Sequence, residues 1–199
     1  MASKQRITEI YVDMDDVLTI FTPHVLFELG CKCDKHSYDY FLPEWGWDML
    51  KGAQALHPNG ADRFPTTASF WESVKEKHWL DSPLSELGMR VMQLVRSYDA
   101  DVYILTSPTI CPECYSGKAK WVRHHYPEMM RKLIVTPAKH TVAKPNALLI
   151  DDGEHNTTAF REAGGQTVTV PRPWNNMWIA GQSEHDRNND TINYIMEAL

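Results

Sequence analysis

Five short apolar runs punctuate this chain. The first, residues 7–12 (ITEIYV), ends in Asp13-Met14-Asp15-Asp16. Residues 101–105 lead into Thr106-Ser107-Pro108, 133–135 into Thr136-Pro137, 147–150 into Asp151-Asp152-Gly153, and 167–170 into Pro171. Runs of this length, β-rich and bounded by polar or turn residues, predict buried strands. Between them the apolar spacing changes to three and four. Leu84, Leu87, Val91, Leu94, Val95 and Tyr98 share one face of a helix over 83–98, with Ser82 as N-cap and Pro83 in the first turn. Shorter helices are expected over 119–126 and 156–163, the latter stopped by Gly164-Gly165. A last one, 191–199, follows a polar stretch. Strands alternating with helices predict an α/β architecture, a Rossmann-like parallel sheet with helices on both faces.

Residues 22–81 break this alternation. They are rich in Trp, Phe, His and Pro and have few β-branched runs. The expected organisation is a core of residues 1–21 and 82–199 with a small, mostly helical cap, 22–81, inserted after the first strand. In open α/β sheets ligands bind outside the carboxyl ends of the strands. Four of the five strands end in hydroxyl or carboxylate residues, which makes those residues candidates for one shared site.

Asp13 and Asp15 lie two apart at a strand-to-loop transition, so both can face one pocket. Two such carboxylates can hold a divalent cation or divide the work of nucleophile and general acid/base. Asp151 and Asp152, adjacent at another strand end, repel each other unless a cation neutralises them. The plainer alternative is a turn or helix-start pair ahead of Asn156. Hydroxyls and backbone N–H groups at Thr106-Ser107 suit phosphate oxygens, although taken by themselves a simple cap or turn is the better explanation. Lys139 and Lys144, between the third and fourth strands, are the cations available to balance phosphate charge.

The chain has 199 residues, 43% of them hydrophobic, enough for one sizeable core or a core with a small inserted domain. Its net charge of −6 gives no general attraction to a long phosphate backbone, but does not exclude a small anionic substrate. No apolar run has the length of a membrane span, and no targeting segment is recognised at the start, so a cytoplasmic location is expected. The cysteines fall in two close pairs, Cys31 with Cys33 and Cys111 with Cys114. They are read either as a four-thiolate zinc site or as free thiols.

The succession VDMDDVLT, LTSP, a lysine and LLIDD resembles the haloacid dehalogenase-like hydrolases. The stretches DMDDVLTIF, FWES, ILTSP, AKWV and LLIDD, spanning most of residues 7–153, are similar to the 5'(3')-deoxyribonucleotidases within that superfamily. The resemblance implies a Mg2+-dependent phosphatase that acts on nucleoside monophosphates through an aspartyl-phosphate. It implies Asp13 as nucleophile and Asp15 as acid/base, whose carbonyl also meets the metal. Asp152 would be a metal ligand and Asp151 its supporting carboxylate. Thr106, Ser107 and one lysine would bind phosphate, with Lys139 matching the spacing better than Lys144 and Lys118 in a lesser role. Phe21 and Trp71 match aromatics that line the nucleoside pocket. Trp45 and Trp47, in PEWGWD, are taken for the rest of that aromatic cluster, and Phe70 is placed between stacking and core. Asp16 stands where the family has glycine, which is expected to alter the loop. The expected partners are a small phosphorylated substrate and a second copy of the chain, with no long nucleic acid and no membrane. Two other readings stay open: a phosphatase of another small phosphoester such as a sugar phosphate, and a non-catalytic module held by zinc.

Overall fold

The structure, a computed structural model, describes residues 5–199. Five parallel strands form one sheet: β1 (Glu9–Val12), β2 (Asp101–Thr106), β3 (Leu133–Val135), β4 (Ala147–Asp151) and β5 (Gln166–Thr169), in the order β3-β2-β1-β4-β5. β1 is central because both its faces are apolar. Ile10 and Val12 point with Val102, Ile104, Leu148 and Ile150 into the larger core. Tyr11 points with Leu105, Leu149 and Phe160 into the smaller one. This is the period of two expected of a strand covered on both sides. Val12 pairs with Ile104 and Ile150, which brings the ends of β1, β2 and β4 level. A further bond, Asp13 N–H to the Ile150 carbonyl at 2.9 Å, carries the ladder one residue into the acidic loop.

Six α-helices lie between β1 and β2, and the first five fall within residues 21–80: α1 (Phe21–Glu28), α2 (Met49–Leu56), α3 (Gly60–Arg63), α4 (Thr67–Ser73) and α5 (Glu76–Leu80). They share an apolar cluster that includes Phe21, Phe41, Phe64, Phe70 and Trp79. The core helices are α6 (Glu86–Arg96), α7 (Glu113–His125), α8 (Glu154–Glu162) and α9 (Glu184–Ala198). Leu87, Val91 and Val95 of α6, Trp121 of α7 and Ile195 of α9 fill the larger core, and Phe160 of α8 fills the smaller.

Three helix boundaries depart from the sequence pattern. The N-cap of α6 is Ser85, not Ser82: its Oγ accepts from Gly88 N–H at 2.7 Å and donates to the Val17 carbonyl at 2.6 Å. The stretch before it serves tertiary structure instead. Leu84 makes an antiparallel bridge with Thr19 where the chain leaves and re-enters the core. Gly88 is required there, because a Cβ would meet the Leu18 backbone at 2.7 Å. α7 starts six residues before the expected 119. Its Gly117 allows the helix to touch α5, where a Cβ would stand 2.7 Å from the Glu76 carbonyl. α9 starts at Glu184 instead of 191, since its first turns bury polar residues that no hydrophobic pattern marks. Arg187 lies against the Trp178 ring at 4.0 Å, and Ser183 caps the helix by accepting from Asp186 N–H. Among the described residues no helix is long and apolar enough to cross a membrane.

Candidate active site

The loops that follow β1, β2 and β4 meet at one rim of the sheet. Asp13, Asp151 and Asp152 converge there, each with an oxygen within 4.8 Å of the others, and all three are buried. Asp13, Asp15, Thr106, Ser107, Lys118, Asp151 and Asp152 line one cavity. Phe21, Thr22, Trp47, Met49 and Trp71, from the helical stretch ahead of α6, line it as well.

The carboxylate oxygens are assigned by their hydrogen bonds. Asp13 Oδ1 accepts from Met14 N–H at 2.7 Å and from the Lys139 ammonium at 2.8 Å, while among the described residues Oδ2 has no hydrogen-bond partner. Asp151 has both oxygens engaged: Oδ1 by Gly153 N–H at 2.8 Å and Asn156 Nδ2 at 3.1 Å, Oδ2 by Lys139 at 2.6 Å. Asp152 Oδ2 accepts from the Trp174 indole N–H at 2.7 Å, which leaves Oδ1 without a partner among the described residues. Asp13 and Asp152 thus each keep one unbonded oxygen, and Asp151 holds Lys139 in place. This donor set, two unpartnered carboxylate oxygens in a buried acidic cluster, fits a hard divalent cation.

Electrostatics agree with this fit. Burial pushes the Asp13 carboxyl up to about 7, against the pull of Lys139 and with a further push from Asp151. Burial, then Asp151, Asp16 and Asp13, raise Asp152 well above the ordinary carboxylate range. Burial also works against the charge on Lys139, but Asp13 and Asp151 outweigh it and keep the ammonium protonated. Ionised together, the three buried carboxylates carry more negative charge than the Lys139 ammonium beside them offsets, and a cation would supply the rest.

Lys118 has a larger place than the sequence suggested. Its ammonium, buried on α7, pairs with Asp15 Oδ2 at 2.9 Å and donates to Thr106 Oγ1 at 2.7 Å and the Ser107 carbonyl at 2.5 Å. Asp15 Oδ1 is buried with no partner. Lys139, in contrast, sits behind Asp13 and is not part of the cavity wall. Lys144 lies elsewhere: its ammonium pairs with Glu9, at the opposite, amino-terminal ends of the strands. A charge placed there does not reach the rim where Asp13 lies, so Lys144 is removed from the candidates.

The aromatic residues separate similarly. Phe21, stacked on Trp79 at 5.6 Å, Trp71 and Trp47 line the cavity, and Trp47 is 55% exposed. Trp45 does not line it. Its ring meets Phe41 edge-on at 5.0 Å inside the inserted segment, because Gly52 on α2 leaves room for both rings. Phe70 is fully buried against Phe64, a core residue and not a stacking surface. The cysteines form no metal site. Among the described residues the three aspartates are the group of three or more side chains placed to share an ion. All four thiols are free, Cys31 donating to Ala53 O and Cys111 to Glu113.

Asp16 has φ +59°, a conformation that explains why glycine suits the position; Asp and Asn tolerate it better than most residues do. The aspartate also has uses a glycine lacks. Its carboxylate accepts from Thr22 N–H at 2.8 Å, Thr22 Oγ1 at 2.6 Å and Tyr38 OH at 2.9 Å, tying the acidic loop to the inserted segment. Pattern reading also passed over Arg172, Trp174 and Asn175. The fifth strand was the one without a hydroxyl or carboxylate at its end. The polar signal begins a residue later, in PRPWNN, after Pro171.

In sequence, no family model and no curated protein matches this chain. Solved structures do match in shape. Protein tyrosine kinase A of Mycobacterium tuberculosis superposes with a TM-score of 0.55 at 13% identity, over 94% of this chain and 99% of that one. A HAD family hydrolase from Deinococcus radiodurans R1, with bound phosphate and sodium, gives 0.52 at 11% identity, over 96% of each chain. A haloacid dehalogenase-like family hydrolase from Xanthomonas campestris gives 0.51 at 10% identity, over 98% of this chain and 96% of that one. The chain therefore has the haloacid dehalogenase-like fold. Such a fold carries unlike activities, so function must come from the site.

Proposed function

We propose that this protein is a Mg2+-dependent phosphatase that hydrolyses nucleoside monophosphates through an aspartyl-phosphate on Asp13. The supporting observation is the convergence of Asp13, Asp151 and Asp152 at the rim that also carries Asp15, Thr106 and Lys118. Asp13 and Asp152, through their unbonded oxygens, would hold the ion together with the Asp15 carbonyl that the sequence resemblance implies. The ion supplies charge neutralisation between an anionic nucleophile and a phosphate dianion.

The chain's own groups supply the rest. Asp13 attacks phosphorus, forming an acyl phosphate as the ester P–O bond breaks. Asp15 gives its proton to the departing alcohol and then takes one from the water that hydrolyses the acyl phosphate. Lys118, Thr106 and Ser107 face the cavity and would hold the equatorial oxygens, where charge spreads in the transition state. Lys139 fixes and neutralises Asp13 from behind.

The cavity measures about 70 Å³, far below the roughly 300–1,000 Å³ of pockets that bury a whole drug-sized ligand. That fits a phosphoryl group. A nucleoside would lie against the aromatic mouth, with segment 22–81 acting as a cap. Trp47, whose ring centre is 5.4 Å from that of His155, is the exposed aromatic there. A stacked base contributes about 1–3 kcal/mol. Trp47→Ala is therefore expected to lower kcat/KM for a nucleoside monophosphate by roughly 5–150-fold and to leave glycerol phosphate unchanged. Equal losses on both substrates would remove Trp47 from base recognition.

The decisive assay is phosphate release from a panel of deoxyribo- and ribonucleoside monophosphates and sugar phosphates, with Mg2+ and with EDTA. Turnover of nucleotides that stops on chelation is the expected result. Preference for a sugar phosphate would move the substrate class, and no turnover of any phosphomonoester would overturn the enzymatic reading.

A further inference from the structure

The segment after β5 reaches back across the site, and nothing in the mechanism above uses it. The Trp174 indole N–H donates to Asp152 Oδ2 at 2.7 Å. Asn175 Nδ2 donates at 2.8 Å to both the Asp152 and the Val170 carbonyls. Arg172 Nε donates at 2.9 Å to the carbonyl of Asp16, and its guanidinium covers the Tyr38 ring at 4.3 Å. The Trp174 ring also packs against residues 38 and 41: it meets Tyr38 at 5.9 Å and Phe41 at 5.3 Å, both in edge-to-face geometry. Tyr38 in turn donates to Asp16. One indole thus holds a carboxylate of the acidic cluster and also bears the Tyr38 and Phe41 rings.

We infer that Trp174 is a positioning residue for the cation site. By occupying Oδ2 of Asp152 it fixes that carboxylate's rotation and presents Oδ1 alone, and it seats the segment around Tyr38 and Phe41 against the same ring. This rests on the reading of Asp152 as a cation ligand. Hydrogen bonds that orient a metal-binding carboxylate are worth about 10–100-fold in metal affinity when removed.

The test is a Mg2+ titration of thermal unfolding, repeated by phosphatase activity, on wild type, Trp174→Phe and Trp174→Tyr. Phenylalanine keeps a ring against Tyr38 and Phe41 but has no donor; tyrosine keeps ring and donor. The expected result is a midpoint for Mg2+ raised about 10–100-fold in Trp174→Phe and by less in Trp174→Tyr. kcat at saturating Mg2+ and KM for the ester should stay near wild type. A wild-type midpoint in Trp174→Phe, or equal weakening in both variants, overturns the proposal, the second because packing and not the N–H would then be responsible. A wild-type protein whose unfolding does not respond to Mg2+ overturns the cation site itself, an outcome distinct from the other two. The thermal readout needs no turnover, so an error in the substrate assignment leaves the test intact.

Discussion

Asp13→Asn is expected to eliminate phosphate release, with kcat down by roughly 10⁴-fold to 10⁶-fold, and to make the cation-free protein more stable than wild type. Both effects come from one carboxylate. An amide at position 13 still accepts from Met14 N–H and Lys139 but is too weak a nucleophile to form an acyl phosphate. Its neutral charge also relieves the repulsion with Asp151 that, along with burial, raises this carboxyl to about 7 from an ordinary 3.8. Between those values the folded wild type binds more protons at Asp13 than the unfolded chain does, so its stability is lost as pH rises toward the folded value. The advantage of Asp13→Asn in EDTA should therefore be small near pH 4, grow up to about pH 7 and level off above it. Buried His24 and His78, whose protonation burial opposes, act in the other direction in both proteins and cancel in the difference. Saturating Mg2+ should reverse the order of stability, because only wild type keeps both unbonded oxygens. Thermal unfolding across pH, with and without Mg2+, measures all of this. A variant less stable than wild type in EDTA at pH 8 would show that the aspartate has a structural role and is not strained for function.

Lys139→Met carries the second large effect, on folding. The ammonium is fully enclosed and bridges Asp13 at 2.8 Å and Asp151 at 2.6 Å. A methionine of similar length fills the space but leaves two buried carboxylates without their cation. Breaking a buried pair in this way costs about 3–5 kcal/mol, which for a chain of this size lowers Tm by on the order of 6–20 °C. The loss should shrink as pH falls and the carboxyls take up protons, and Mg2+ should restore part of it. Lys144→Met makes the contrast. Its pair with Glu9 is half exposed, so Tm should stay within about 2 °C of wild type, as expected of a surface ion pair. A Lys139→Met protein as stable as Lys144→Met would mean that the carboxylates are neutral in the fold.

The two lysines show where sequence stops being sufficient. Both lie in the same connection, five residues apart, and spacing alone offers either to a phosphate. The fold separates them, because Lys139 lies in the short helical turn 139–142 packed beneath the Asp13 rim, whereas Lys144 has already reached the start of β4. Trp45 and Trp47 separate for the same kind of reason: two residues apart around Gly46, one turns into the core of the inserted segment and the other faces the cavity.

The sequence by itself determined the parallel sheet, the strand-end placement of Asp13, Thr106, Asp151 and Asp152, and the interruption after β1. These depend on local periodicity and on the rule that strand ends in such sheets converge, both of which are written in neighbouring residues. Only the tertiary structure decided which oxygens stay unbonded, why Asp16 is an aspartate, that Lys118 faces the cavity, and that Trp174 holds Asp152 from 22 positions away. Those are contacts between side chains distant along the chain. Their partners are selected by how the helices pack, and a packing partner leaves no mark on the residues beside it in sequence.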